Sequence, residues 1–185
     1  MKSSRDITLI VIFTVLIFVF RLLIDRGVGM INIPGFPYIL PIFFSIIQSL
    51  AFLMYKGRRW RLFFQALLST LLYVTFINPA FRLTEMATIL NMFIVDVVFN
   101  SFYGSFERKN KLVWLTILFQ VCYWAIHSFW LLVSYSALFY PFEAFLNNWF
   151  IPIMSVMLPV MIIEGLAGGY LGYQIYRRVK ILHNF

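Results

Sequence analysis

Long apolar stretches alternate with short polar connections along the chain. Six of the stretches are long enough to cross a bilayer, because a membrane-spanning helix needs about 20 mostly apolar residues. They cover residues 7–24, 38–55, 62–78, 86–103, 112–137 and 152–176. The pattern therefore predicts an all-α integral membrane protein in which a bundle of six transmembrane helices forms a single domain of residues 1–185.

Composition agrees with a membrane protein and excludes several other classes. The chain is 62% apolar and 12% charged, whereas soluble domains are about 45–50% apolar and about 25% charged. A soluble enzyme, a nucleic-acid-binding protein and a disordered chain are therefore excluded, although the net charge is +8. The first apolar stretch is followed by no small-residue cleavage site, so we expect a retained helix and not a signal peptide.

Basic residues are concentrated in alternate connections. The N-terminus, the 56–61 and 104–111 connections and the C-terminal tail together carry a net charge of +10, while the three other connections sum to −1. Lys and Arg are enriched in cytoplasmic loops. The charges therefore predict a multi-pass protein of the cell membrane with both termini in the cytoplasm.

The outer connections are the more complex ones, which favours a function on the outer face. Residues 27–37 are rich in Gly and Pro and could fold over the outer face as a lid or lie against the headgroups as a connector. Residues 138–151 combine aromatic and polar side chains.

Ionisable residues inside apolar helices are costly and are candidates for functional sites. Asp96 shares a helix face with Asn100, and the pair could bind a ligand or anchor neighbouring helices by hydrogen bonds. Glu164 could hold a ligand or pair with His127 or Arg21. Snorkelling to the headgroups explains Arg21.

An aromatic and polar group on the fifth helix suggests a pocket. Trp124, His127 and Trp130 are three residues apart, so we expect them to project together as a lining for a flat heterocyclic ligand. An interfacial aromatic belt and a packed histidine are the alternatives. The candidate lining residues are Asn32, Tyr38, Tyr73, Asn78, Glu85, Asn91, Trp124, His127, Trp130 and Asn148, with Glu164 as the floor.

Four glycines on the sixth helix form two overlapping GxxxG patterns, Gly165 with Gly169 and Gly168 with Gly172. Small residues at this spacing let another helix approach closely. The partner is either a helix of the same bundle or another protein.

No motif indicates catalysis or nucleotide hydrolysis. The chain has no P-loop, HExxH or GxSxG motif, and its single cysteine, Cys122, excludes a cysteine-based metal framework. We therefore expect a protein that is not an enzyme and needs no metal or cofactor.

In its layout the chain resembles the substrate-capture subunits (S components) of energy-coupling factor (ECF) vitamin transporters, with six helices, both termini inside and a long first external loop. Residues 158–178 are the stretch most similar to that family, whose closing helix often carries glycines and a basic end. Many members also carry an Ala-x-x-x-Ala docking surface on the first helix. Residues 8–18 contain no alanine, so docking here would use other residues.

The resemblance implies binding of a small vitamin or metabolite near the outer face, with the first external loop as a lid. It also implies a transmembrane coupling protein and ATPase subunits as partners, within an ABC transporter in membrane lipid and without nucleic acid. One rival hypothesis is a structural or assembly subunit without its own ligand. Another is a small intramembrane enzyme that uses Asp96, His127 or Glu164.

Overall fold

The computed structural model describes residues 4–27, 36–76, 83–139 and 151–183, which form six α-helices. The helices are α1 (Ser4–Gly27), α2 (Phe36–Met54), α3 (Arg61–Phe76), α4 (Leu83–Arg108), α5 (Leu112–Phe139) and α6 (Ile151–His183). Over the described residues, the prediction of an all-helical protein with six helices is confirmed. The greater part of both complex outer connections lies outside the described residues.

Four of the described helices run past the ends that the apolar stretches predict, and α4 and α6 do so by the most residues. α4 ends at Arg108 and α6 at His183, whereas the apolar stretches end at 103 and 176. Hydropathy falls where charged residues begin, but a helix ends only where its backbone hydrogen bonding stops. After α4 the chain turns at Asn110, whose φ of 55° lies in the left-handed region that often ends helices.

Three of the helices contain segments that are long and apolar enough to cross a membrane, namely Ser4–Leu23, Thr88–Arg108 and Leu112–Trp130. In the described parts of α2 and α3, the apolar helices Ile42–Met54 and Arg61–Phe76 are shorter. These apolar helices indicate association with a membrane.

α6 packs against both α2 and α5, and these are the two most extensive helix–helix contacts of the described bundle. α4 lies between α5 and α3, while α1 packs on α3 and α2. Between these helices the core is largely aromatic. The rings of Phe52 and Phe119, for example, stack at 4.9 Å between centroids.

Ion pairs hold the start of α1 to the connection between α2 and α3. The Asp6 carboxylate accepts hydrogen bonds from Arg58 and from Arg61, the latter at 2.8 Å. Arg59 donates a hydrogen bond to Ser101 of α4 at 3.0 Å. The N-terminus, the α2–α3 connection and the last turns of α4 therefore meet.

The last turns of α6 reach the same place, because Tyr176 lies beside Tyr103 of α4, whose hydroxyl donates to the Leu53 carbonyl at 3.4 Å. We call this part of the bundle the basic end. Its basic residues are Arg5, Lys56, Arg58, Arg59, Arg61, Arg108, Lys109, Lys111, Arg177, Arg178 and Lys180.

Candidate functional site

Side-chain hydrogen bonds join α5 to α2. Nε2 of Gln120 donates to the Ser45 carbonyl at 3.0 Å and to the Ser49 hydroxyl at 2.9 Å. One turn further along α5, Nε1 of Trp124 donates to the Ser45 hydroxyl at 2.7 Å. Buried polar atoms are normally paired, so these bonds fix the height of α5 against α2.

The glycines of α6 allow this helix to pack closely against both α2 and α5. A Cβ atom on Gly168 would lie 2.2 Å from Cβ of Ser45, and one on Gly172 would lie 2.5 Å from Cβ of Ser49. On the other face, Gly165 and Gly169 lie against the α5 backbone, where an added Cβ would come within 3.0 and 2.8 Å. Both GxxxG faces therefore contact helices of the same chain.

Further along α5, away from the basic end, lies a group of side chains that we call the His127 cluster: Asn91, Tyr123, Trp124 and His127. The His127 ring stacks on Tyr123, with centroids 5.8 Å apart and planes 7° apart. Trp124 presents its edge to His127 at a centroid distance of 5.8 Å. Nδ2 of Asn91 donates to the Tyr123 carbonyl at 2.8 Å, which joins α4 to this face of α5.

Two polar atoms of the His127 cluster are buried without a hydrogen-bond partner among the described residues. They are Oδ1 of Asn91 and Nδ1 of His127. Leaving such atoms unpaired costs about 1–3 kcal/mol each. The cluster therefore contains an unpaired acceptor on α4 and an unpaired ring nitrogen on α5, both within the bundle.

Glu164 of α6 is 4% exposed. It precedes Gly165, which packs on α5 at Val121. Among the described residues Glu164 forms no ion pair, so the ion pair considered as an alternative is not formed there.

The extension of Arg21 to the headgroups stays a prediction, and in the structure its side chain contacts α3. Its guanidinium lies over the Tyr73 ring, 4.2 Å from the centroid, as expected from the attraction between a cation and an aromatic face. Arg21 is also the charged group that acts electrostatically on His127. The contact between Arg21 and Tyr73 thus joins α1 to α3.

Trp130 does not join the group, which corrects the expectation that three residues at this spacing project together. Each three-residue step rotates a side chain by about 60° around a helix, so Trp130 is about 120° away from Trp124. The Trp130 ring packs edge-on against Phe129 at 6.2 Å.

The remaining predicted lining residues are not tested by the structure. Asn32, Asn78 and Asn148 lie outside the described residues. Tyr38 and Glu85 lie in α2 and α4, but their side chains are not among those described.

Asp96 acts as the anchor that was one of its two predicted roles. Its Oδ2 accepts the backbone N–H of Phe63 at 3.1 Å, and its Oδ1 accepts a hydrogen bond from Asn100. Asn100 in turn donates to the Arg58 carbonyl at 3.4 Å. Asp96 thereby caps the start of α3 from the neighbouring helix α4, close to the basic end and away from the His127 cluster.

Sequence reasoning missed Ser45, Ser49 and Gln120 because it considered mainly ionisable residues inside the apolar stretches. A signal was present, since Ser45 and Ser49 are four residues apart and share a helix face, as do Gln120 and Trp124. Uncharged polar residues with this spacing in an apolar helix mark a buried face.

Within the part of the chain that the structure describes, no group of three or more His, Cys, Asp or Glu side chains could hold a metal ion. Comparison of the chain with models of known protein families, with curated proteins and with solved structures found no match.

Proposed function

We propose that the chain is the substrate-capture subunit of an ECF-type importer and binds a small vitamin or metabolite near the outer face of the membrane. The observation that carries the proposal is the His127 cluster. It combines aromatic rings with two buried polar atoms that have no partner among the described residues. Binding sites for small molecules have this composition, a mostly apolar lining with a few fixed polar groups.

The cluster lies in the half of the bundle opposite the basic end. α5 starts at Leu112 beside the basic residues, and His127 follows 15 residues later, which is about 22 Å along the helix. With all six helices crossing the bilayer, the positive-inside rule places the basic end and both termini in the cytoplasm. The His127 cluster then lies in the outer half of the membrane.

The chemistry of the cluster favours a flat, partly apolar ligand. Trp124 and Tyr123 supply aromatic surface, Oδ1 of Asn91 accepts a hydrogen bond, and the carboxyl of Glu164 forms the floor. A heterocyclic molecule with N–H or O–H donors satisfies these groups together.

Uptake needs partner subunits because the sequence contains no P-loop with which to hydrolyse ATP itself. A binding subunit releases its ligand only if another component changes its affinity between outward and inward states. A transmembrane coupling protein driven by ATPase subunits supplies this difference in the proposed complex.

A second candidate is an assembly subunit of a membrane complex without its own ligand. It is favoured by the exposed apolar strip on α1, where Val11, Val15 and Val19 are each about half exposed. The glycine faces do not support it, because they are filled by α2 and α5.

The two candidates differ in ligand-induced stability. We expect one water-soluble vitamin or vitamin precursor to stabilise the purified protein, by about 2.7 kcal/mol at 100 times its dissociation constant. His127→Ala should weaken that ligand at least tenfold, because it removes a stacking surface and a polar contact. The measurement is a thermal-shift screen in detergent, followed by titration of the hit.

Phe129→Ala is the matched control, since Phe129 is two residues away on α5 but is 56% exposed. It should leave the affinity unchanged. A screen without any shift favours the assembly subunit, and a hit that binds His127→Ala as tightly as the wild type places the ligand elsewhere.

The proposed orientation has its own test. In a Cys122→Ala background, Asn147→Cys in the predicted outer connection should react with a membrane-impermeant maleimide in intact cells. Lys109→Cys, at the basic end, should react only after lysis. Equal labelling of the two positions in intact cells contradicts the orientation.

A further inference from the structure

A cavity of about 420 Å³ lies at the turn between α4 and α5, far from the His127 cluster. The described residues that line it are two aromatic residues, Phe106 and Trp114, and two lysines, Lys109 and Lys111. We call it the α4–α5 cavity. It is open to the surface of the bundle at the basic end.

Backbone hydrogen bonds shape the turn that carries these side chains. The N–H of Lys111 donates to the Phe106 carbonyl at 2.9 Å, and the N–H of Trp114 donates to the Lys111 carbonyl at 3.1 Å. Asn110 between the lysines adopts a left-handed φ of 55°. The turn is thus tight and hydrogen-bonded, and both lysines are held at the same cavity.

The charge around the α4–α5 cavity is positive. Both lysines are exposed, as is the neighbouring Arg108, whose Nε donates back to the Gly104 carbonyl at 3.3 Å. Glu107 is the one acidic residue of the turn. Two ammonium groups at one cavity favour an anion with several oxygen atoms, such as a phosphate.

The position of Trp114 favours a lipid over a soluble phosphate compound as the occupant of the cavity. It is 60% exposed and lies in the first turn of α5, where the candidate span Leu112–Trp130 begins. Tryptophan is enriched at the membrane–water interface because its ring suits the level of the headgroups. An aromatic wall at this depth contacts the glycerol region of a lipid.

We infer that the α4–α5 cavity binds the headgroup of an anionic phospholipid from the cytoplasmic leaflet. Lys109 and Lys111 hold the phosphate, while Trp114 and Phe106 pack against the glycerol and the first methylene groups. Basic pockets beside transmembrane helices on the cytoplasmic side recognise lipids in this way. The inference rests on the proposed membrane orientation but not on the captured ligand.

The experiment compares headgroups on the delipidated full-length protein in detergent. Phosphatidylglycerol, phosphatidylcholine with the same acyl chains, and inorganic phosphate are each titrated at the same concentrations, with bound lipid counted by native mass spectrometry. We expect phosphatidylglycerol to bind at least tenfold more tightly than phosphatidylcholine. Equal binding of the two lipids overturns the inference without any variant. Inorganic phosphate that binds as tightly as phosphatidylglycerol also overturns it and identifies a soluble ligand instead.

Variants locate the site. Lys109→Gln with Lys111→Gln should weaken phosphatidylglycerol about 30-fold, since each lysine near the membrane surface contributes about fivefold. Arg178→Gln with Lys180→Gln removes the same charge from exposed positions on α6 and should leave binding within about twofold of the wild type. Equal losses in the two double variants show a general charge effect and no site.

Discussion

Gly168→Ala is expected to lower the free energy of unfolding by about 2 kcal/mol or more, the range of overpacked cores. The added methyl carbon would lie 2.2 Å from Cβ of Ser45 and 3.2 Å from the Ile42 carbonyl oxygen, so α6 has to move away from α2. For a chain of this size the loss corresponds to about 4–8 °C in the unfolding temperature. Thermal unfolding of the purified protein in detergent measures it.

Gly104→Ala is the control for this substitution. Gly104 also lies in a helix, but a Cβ there would have no other atom within 4 Å. It should therefore be neutral or stabilise the protein, because alanine favours helices more than glycine does. Adding Ser45→Gly to Gly168→Ala should restore part of the loss, and a Gly168→Ala protein as stable as Gly104→Ala would contradict the packing described here.

Asp96→Leu is expected to destabilise the protein by about 3 kcal/mol, because it removes the acceptor of the Phe63 N–H and leaves the Asn100 amide with only its long hydrogen bond to the Arg58 carbonyl. Asp96→Asn should cost less, about 1 kcal/mol, since it keeps one side-chain oxygen for the start of α3. Glu107→Gln, an exposed change on the same helix, should have no measurable effect. Unfolding temperatures of the three variants give the comparison.

Hydrogen exchange separates this capping role from a general loss of packing. Relative to the wild type, Asp96→Leu should accelerate hydrogen exchange of the amides in the first turn of α3 more than exchange of the amides in α6. An equal acceleration across the bundle would contradict a local cap. A loss of ligand binding in Asp96→Asn with unchanged stability would assign Asp96 to the binding site instead.

The apolar stretches predicted the six described helices because each stretch is a continuous apolar run of the length that a membrane-spanning helix needs. The GxxxG spacing likewise predicted two close-packing faces on α6. It could not identify α2 and α5 as the partners, because Ser45 and Ser49 lie more than 110 residues before the glycines, and their spacing marks a buried face without naming the helix that covers it.

The candidate site was predictable only in part. Trp124 and His127 stand out as polar and aromatic residues in an apolar helix, and the structure brings them together. Trp130 was wrongly grouped with them because two successive steps of three residues accumulate a rotation of about 120°. The partner of Asp96 was not predictable either, since it is the backbone N–H of Phe63, and a backbone donor cannot be recognised from the type of residue that carries it.

The position of α6 between α2 and α5 also has a consequence for the order in which the bundle assembles. The ribosome synthesises α2 and α5 before α6. The small-residue surface around Ser45 and Ser49 therefore faces lipid or a membrane chaperone until α6 has been synthesised. Until Gly168 and Gly172 are in place, α2 and α5 are joined to each other by contacts such as the Gln120–Ser49 hydrogen bond and the Phe52–Phe119 stack. Maturation of the bundle therefore depends on the arrival of α6, and a chain that stalls before residue 151 is an open intermediate exposed to quality-control proteolysis.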